Sequence, residues 1–358
     1  MKAIRFSVLR YVLPACFLLY IVLCRFCPVL AEGYARHVYP CLSAFLSAVA
    51  SIFPFSLEEV LVVGVMLWVV AYPFFGLRKG KNWKSIGGRE IEVLAWIYIW
   101  FYLGWGLTYF RYPLYSRVRV TPVRYEEQAF QRFLRTYTDS LNHTYRADLD
   151  WEMKDMGQQI KDFYGKLSSA FGLAVPKSYQ TPKYFTFTSL YSGVGVLGSM
   201  GPFFAEAQLN ADLLPVQLPF TYAHEYSHLL GVSSEAEANY WAYQACLSSS
   251  SPAMRYCGYF GILPYVLANA SSLLPKDEFR EWVKTIRLEV IREYERRRTY
   301  WAGLYSPSIG RLQDYLYDWF LKSNQISSGR KNYAEVIGII LSIPSVSCGP
   351  TADHRACP

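Results

Sequence analysis

Two histidines one helical turn apart, with a glutamate between them, are the residues whose types and spacing could do chemistry. His224-Glu225-Tyr226-Ser227-His228 is an HExxH sequence. On a helix this spacing puts both imidazoles on one face, where both can hold a zinc ion. Glu225 then points at the open coordination position, and can take a proton from a water there as zinc lowers the water's pKa. A third protein ligand is needed. The chain has five His, and His37, His143 and His354 are all far from the motif. A third His six residues after the second is ruled out, because position 234 is Ser. The nearest strong donor is Glu235, just past Gly231.

Two helices must position these groups. Pro219 marks the start of the first, expected over 220–230, and Gly231 sits where it stops. Ser233 or Ser234 can cap a second helix, from Glu235 to about Leu247, with Glu235 in a first turn that favours a carboxylate. Asn239, four residues on, shares the face of Glu235 and can hold a ligating imidazole by its other nitrogen. Glu237 lies two residues round the helix. It is the alternative third ligand, disfavoured by that face.

At these residues the chain resembles the gluzincin clan of zinc peptidases. More closely, it is similar to a family of bacterial membrane proteins that carry N-terminal spans followed by a Pro-Phe-Thr-x-x-His-Glu-x-x-His-x-x-Gly helix and a Glu-x-Glu-Ala-Asn helix. Here these are Pro219-Phe220-Thr221, His224, Glu225, His228 and Gly231, then Glu235, Glu237, Ala238 and Asn239. The motifs occupy about residues 201–245. The resemblance implies a fold and a membrane setting, with Zn2+ as cofactor and a peptide or protein as substrate. In gluzincins an edge strand before the HExxH helix pairs with the substrate main chain. That implies a substrate-binding role for Phe203, Phe204, Ala205 and Glu206 in an expected strand over 202–210, with an ordinary sheet strand as the alternative. A downstream Tyr or His stabilises the oxyanion in gluzincins, and Tyr315, Tyr317 and Tyr333 are the candidates here.

The remaining chain supplies the setting. It has 358 residues, 52% hydrophobic and 17% aromatic, which suits a chain split between bilayer and water. Three apolar stretches, 8–30, 60–77 and 93–110, read as membrane spans, the first being the weakest. The stretch 38–57 is uncharged but bounded by Pro40 and Pro54, and reads as an interfacial or packed helix. Lys2, Arg5 and Arg10, then Arg78, Lys79, Lys81, Lys84 and Arg89, make two basic segments that belong on the cytoplasmic side. They account for nearly all of the net charge of +8, so no nucleic-acid partner is needed. Everything after residue 111 is then extracytoplasmic, on a bacterial inner membrane. Val29-Leu30-Ala31 resembles a signal-peptidase site, whose use would not alter that side.

The expected architecture is therefore a membrane anchor over 1–111 with about three helices, followed by an α+β, mostly helical zincin-like domain over 112–358. Within it, 125–145, 151–171, 277–298, 312–321 and 333–341 read as helices and 256–270 as a core helix. Gly193-Val-Gly-Val-Leu-Gly198 matches GxGxxG but lacks the following helix, so it reads as a loop beside the site and not as a dinucleotide site. Arg296, Arg297 and Arg298 complement a helix end or meet anionic lipid. Of eight Cys, Cys246 with Cys257 and Cys348 with Cys357 are possible disulfides in an extracytoplasmic domain, free buried thiols being the alternative. The expected activity is peptide-bond hydrolysis with Glu225 as general base. The alternative is a zinc-bound protein that recognises a ligand or partner without cleaving it.

Overall fold

A computed structural model describes residues 2–167, 169–326, 328 and 335–343. They are mostly helical, with one small sheet. In chain order the helices are α1 (Lys2–Phe26), α2 (Pro28–Gly33), α3 (Tyr39–Ala50), α4 (Leu57–Arg78), α5 (Trp83–Gly104), α6 (Leu114–Val118), α7 (Glu127–Thr144), α8 (Met153–Gly165) and α9 (Thr188–Gly193). They continue with α10 (Leu218–Leu229), α11 (Glu235–Leu247), α12 (Pro252–Leu273), α13 (Lys276–Thr285), α14 (Leu288–Leu304), α15 (Pro307–Ser323) and α16 (Val336–Ser342). The strands are β1 (Lys183–Tyr184), β2 (Gly198–Gly201) and β3 (Glu206–Leu209).

Among the described residues α4 is long and apolar enough to cross a membrane, and a second span exists only if a bent pair counts as one. That pair is Arg10–Phe26 with Pro28–Ala50, bent by 108°. The expected first span is therefore broken at Cys27-Pro28, where proline cannot donate its backbone bond. The helix expected inside 38–57 is α3, the far limb of that bend. The stretch expected as the third span, 93–110, has different ends in the structure. Lys84, Arg89, Glu90 and Glu92 occupy the first half of α5, and the helix stops at Gly104. A Cβ at Gly104 would lie 2.4 Å from the Pro202 carbonyl oxygen, so the backbone there needs glycine. The last apolar residues, Gly106–Phe110, form a short 3-10 turn that is buried in the protein.

One core crosses the expected boundary at residue 111. Ile21, Tyr39, Leu107 and Phe110 belong to the same buried cluster as Ile160, Tyr226, Trp241 and Phe260. Arg111, 8% exposed, explains the continuity. It donates to Glu32 at 3.0 Å, to the Gly172 carbonyl at 2.9 Å and to the Gly231 carbonyl at 3.2 Å. A guanidinium with several acceptors can be buried without stranding its charge.

In the sheet the order is β1-β3-β2. β2 runs antiparallel to β3 with Ser199 opposite Gln208, and β1 runs parallel with Lys183 opposite Gln208. Two further expectations change. The helix expected over 277–298 is two helices, because Asn142 on α7 supplies bonds at the break: its Nδ2 donates to the Thr285 carbonyl at 2.8 Å and its Oδ1 accepts from the Arg287 N–H at 2.9 Å. Cys246 and Cys257 are separate buried thiols, while Cys348, Cys357 and Tyr333 lie outside the described residues.

Candidate metal centre

α10 and α11 sit at the centre of the core. Every residue from Pro219 to Leu229 and from Glu235 to Cys246 is buried. Helices without an exposed face need uncharged residues nearly all round, and the motif's neighbours Ala223, Tyr226, Ser227 and Leu229 supply them. Pro219 occupies the first turn of α10. Gly231 ends it at φ 99°, a conformation glycine adopts readily. Ser234 caps α11, its hydroxyl accepting from the Glu237 N–H at 3.4 Å. This turn brings the first residue of α11 against the histidine face of α10.

The three groups meet through single atoms. His224 Nε2 is 3.1 Å from Glu235 Oε2, His228 Nε2 is 3.4 Å from the same oxygen, and the two Nε2 atoms are 3.1 Å apart. A tetrahedral ion with bonds of about 2.0 Å separates its donors by about 3.3 Å. The donor triangle therefore fits zinc in both chemistry and size.

The outer partners aim these atoms. Asn239 Oδ1 lies 2.9 Å from His224 Nδ1, and the Val232 carbonyl lies 2.8 Å from His228 Nδ1. Each acceptor holds a proton on Nδ1 and leaves Nε2 as the ligand atom. Tyr317 donates to Glu235 Oε1 at 2.6 Å, leaving Oε2 for the histidine face. The segment after α5 props the end of α10: Trp105 Nε1 donates to the His228 carbonyl at 3.0 Å and Ser233 donates to the Thr108 carbonyl at 2.9 Å. Tyr39 donates to the Leu229 carbonyl at 2.8 Å.

Glu237 lies away from this cluster. It pairs with the buried Arg117 and accepts from Trp241 Nε1 at 3.0 Å. Burial pulls the Arg117 guanidinium below its ordinary pKa, and the Glu237 carboxylate opposes that shift. Glu237 thus serves the core beside α6.

Charges in the metal-free cluster are unequal. Burial works to lower the His228 pKa, but Glu235 outweighs it and raises the imidazole to about 9. Burial works to raise Glu235, but His228 and His224 hold it well below the ordinary carboxylate range. Glu225 is pushed up by burial, against the pull of both imidazoles. It is 7% exposed and, among the described residues, makes no hydrogen bond. β2 lies directly over it: a Cβ on Gly198 would fall 2.6 Å from Glu225 Cγ and 2.8 Å from its Oε1. The last glycine of the GxGxxG match thus lets a strand pass the carboxylate.

These groups open on a cavity of about 860 Å³. Its walls include β2 with residues 194–197 before it, Trp105 and Tyr109, Phe220 and Thr221, Tyr265 and Arg297, and Gln313, Asp314 and Tyr317 of α15. The expected substrate segment is placed differently. β3 is paired on both sides, so it is the middle strand and not an edge. Phe203 and Phe204 pack on Trp100, and Ala205 takes a left-handed turn at φ 50°. Glu206 pairs with Lys183 and accepts from Ser56 at 3.1 Å and from the Glu58 N–H at 2.9 Å, which fastens the start of α4. Of these four, Phe203 to Glu206, none lines the cavity; the strand that does is β2. Tyr315 is 70% exposed. Tyr265, Tyr109 and Arg297 on the far wall carry no local motif, and only the amphipathic pattern of their helices could have hinted at which face points inward.

Architecture and site together define a mostly helical protein with an apolar helix and a buried His-His-Glu group able to hold a metal ion. The chain belongs to the family described as Protein of unknown function (DUF3810), whose family model matches residues 34–341. No curated protein and no solved structure matches it.

Proposed function

We propose that this protein is a zinc metallopeptidase anchored in a bacterial inner membrane by more than one span, with its site on the extracytoplasmic side. The observation that carries the reading is Glu225: a buried carboxyl, bonded to no donor among the described residues, beside a three-ligand set that fits zinc. Its side chain lines the same cavity as the ligand set, where a reacting group could meet it. When bound, zinc would polarise the scissile carbonyl and lower the pKa of the attacking water. Glu225 receives the proton of that water and returns it to the leaving amine, balancing hydrolysis without a further co-reactant. Burial raises its pKa, which helps it hold the proton it takes until the amine leaves. Asn239, Val232 and Tyr317 hold the ligand atoms in position throughout. β2, beside Glu225 and with one side unpaired in the sheet, offers main-chain groups to an extended peptide.

The positions of the charged ends support this sidedness. Arg10 of α1 is bonded to Glu92 of α5 at 2.6 Å, so the two basic segments share one side. The opposite end of α4 is fastened to β3 by Glu206. With the basic segments facing the cytoplasm, β3 and the metal helices fall outside.

The test is hydrolysis of a mixed peptide library by detergent-purified protein, wild type beside Glu225→Gln, with zinc measured in both. We expect both proteins to hold one zinc and only the wild type to cleave. Equal cleavage by both would remove Glu225 as the base, and no zinc in a folded wild type would remove the enzyme reading.

A further inference from the structure

Arg297 is a half-buried residue on α14 that lines the metal-site cavity. Among the described residues it makes no hydrogen bond and no ion pair. Its available carboxylates are engaged elsewhere. Glu293, one turn earlier and at the favourable i, i+4 spacing, accepts from Tyr256 at 2.8 Å and from Arg296 at 3.1 Å. Asp314 on the facing wall accepts from Tyr305 at 3.4 Å. Glu235 is held by the histidines and Tyr317.

The electrostatic neighbours of Arg297 are the phenols of Tyr265 and Tyr294, and burial lowers its pKa. A guanidinium keeps its charge even so. Tyr265 also lines the cavity, as does Asn239, which holds His224. The cation therefore faces the same enclosed space as the metal group. A half-buried cation without a partner gives up part of its hydration, and an anion in the cavity would offset that loss. The planar fork of the guanidinium matches a carboxylate through two parallel hydrogen bonds.

We propose that Arg297 anchors a carboxylate of the substrate, so that this cavity takes peptides bearing an anionic group beside the scissile bond. The inference rests on the metallopeptidase reading for the bond broken, while the anchor is tested by binding alone. A free chain terminus and an acidic side chain offer the same chemistry, and the probes separate them.

The experiment uses the full chain in detergent, zinc-loaded and carrying Glu225→Gln to prevent turnover. Three probes are titrated by intrinsic fluorescence: Ac-Ala-Phe-Ala with a free carboxylate, the same peptide as its C-terminal amide, and Ac-Ala-Glu-Ala as an amide. We expect one or both carboxylate probes to bind about tenfold to hundredfold more tightly than the neutral amide. Arg297→Met should abolish that preference and Arg297→Lys should restore part of it. A preference for the free terminus assigns a carboxypeptidase-type anchor, and one for the Glu probe assigns acidic-residue recognition. Equal binding of all three probes, no binding of any, or a preference that survives Arg297→Met overturns the proposal. The carboxylate-to-amide comparison needs no change at Arg297, so it stands even if that variant misfolds. A carboxylate preference in a protein whose wild type hydrolyses nothing would support the anchor and remove only the peptidase reading.

Discussion

Gly198 gives a test of the site that depends on neither turnover nor metal. An added methyl group would lie 2.6 Å from Glu225 Cγ, 2.8 Å from Glu225 Oε1 and 3.0 Å from the Gln208 carbonyl oxygen. Two of these three contacts are with the one side chain, and real Cβ atoms do not come so close to another heavy atom. Gly198→Ala should therefore destabilise the protein by about 1–3 kcal/mol, the usual cost of overpacking a filled core. Shortening the opposing side chain removes the two closest contacts and leaves only the Gln208 one. In a Glu225→Ala background the same substitution should cost much less, giving a coupling of about 1 kcal/mol or more. Thermal unfolding of wild type, both single variants and the double variant measures the cycle. Zinc content should be unchanged by Gly198→Ala, because its near contacts do not include a ligand atom. Hydrolysis, if present, should fall about 100-fold when Glu225 is displaced by as much as an ångström. An equal penalty in both backgrounds would show that β2 does not press on Glu225, and the positioning argument would fail with it.

The other predictions concern the ligands and their supports. Metal analysis of purified variants should find zinc lost from Glu235→Ala and retained in Glu237→Ala, since Glu237 faces Arg117 and not the histidines. The same Glu237→Ala protein should unfold more readily by about 3–5 kcal/mol, because it strands the buried Arg117 guanidinium. Asn239→Ala should weaken zinc binding about 10–100-fold in a competitive chelator titration, because His224 Nδ1 loses its acceptor. In metal-free protein the raised His228 pKa gives stability that is complete below pH 6.5 and lost as pH rises through about 9. The lowered Glu235 pKa gives stability that is present above pH 4.5 and lost as pH falls further. Melting of the chelator-treated protein should thus find this cluster most stabilising between pH 4.5 and 6.5, while zinc affinity should climb with pH as His228 gives up its proton.

What could be read from residue types was what depends on short spacings. His224, His228 and Glu235 lie within twelve residues, and helix geometry with one glycine turn is enough to bring them together. Their supports at Asn239 and Val232 are equally local. Of the far wall, Tyr317 was legible as one of three candidate tyrosines, but the place of Arg297 was not, because it stands on a helix more than sixty residues past Glu235. The middle position of β3 was hidden for a related reason. Four residues of strand do not reveal which neighbours they pair with, and the β1 residues that pair with β3 lie 25 positions earlier. The ends of the apolar run 93–110 were hidden in a different way. A stretch rich in Trp, Tyr and Phe satisfies a bilayer and a protein core equally well, so composition could not place its end.

That ambiguous end is where the N-terminal helices and the His-His-Glu group become one structure. Trp105, Thr108 and Arg111 follow α5 without a linker, and each bonds to the α10–α11 region, at His228, Ser233 and Gly231 in turn. Tyr39, from the bent N-terminal pair, adds a fourth bond at Leu229. The turn that delivers Glu235 to the histidines is thus clamped by residues that a simple anchor-plus-enzyme division would assign to the anchor. Buried bonds of this kind are costly to leave unmade. Cutting the chain after residue 111 would strip all four at once and expose the part of the core cluster that Leu107 and Phe110 help to cover. The segment 112–358 should therefore fail to fold alone, whereas a catalytic domain on an independent tether would survive the cut. Expression of the two lengths, compared by zinc content and thermal unfolding, decides between them: a soluble, zinc-loaded 112–358 fragment would mean that the clamp is dispensable.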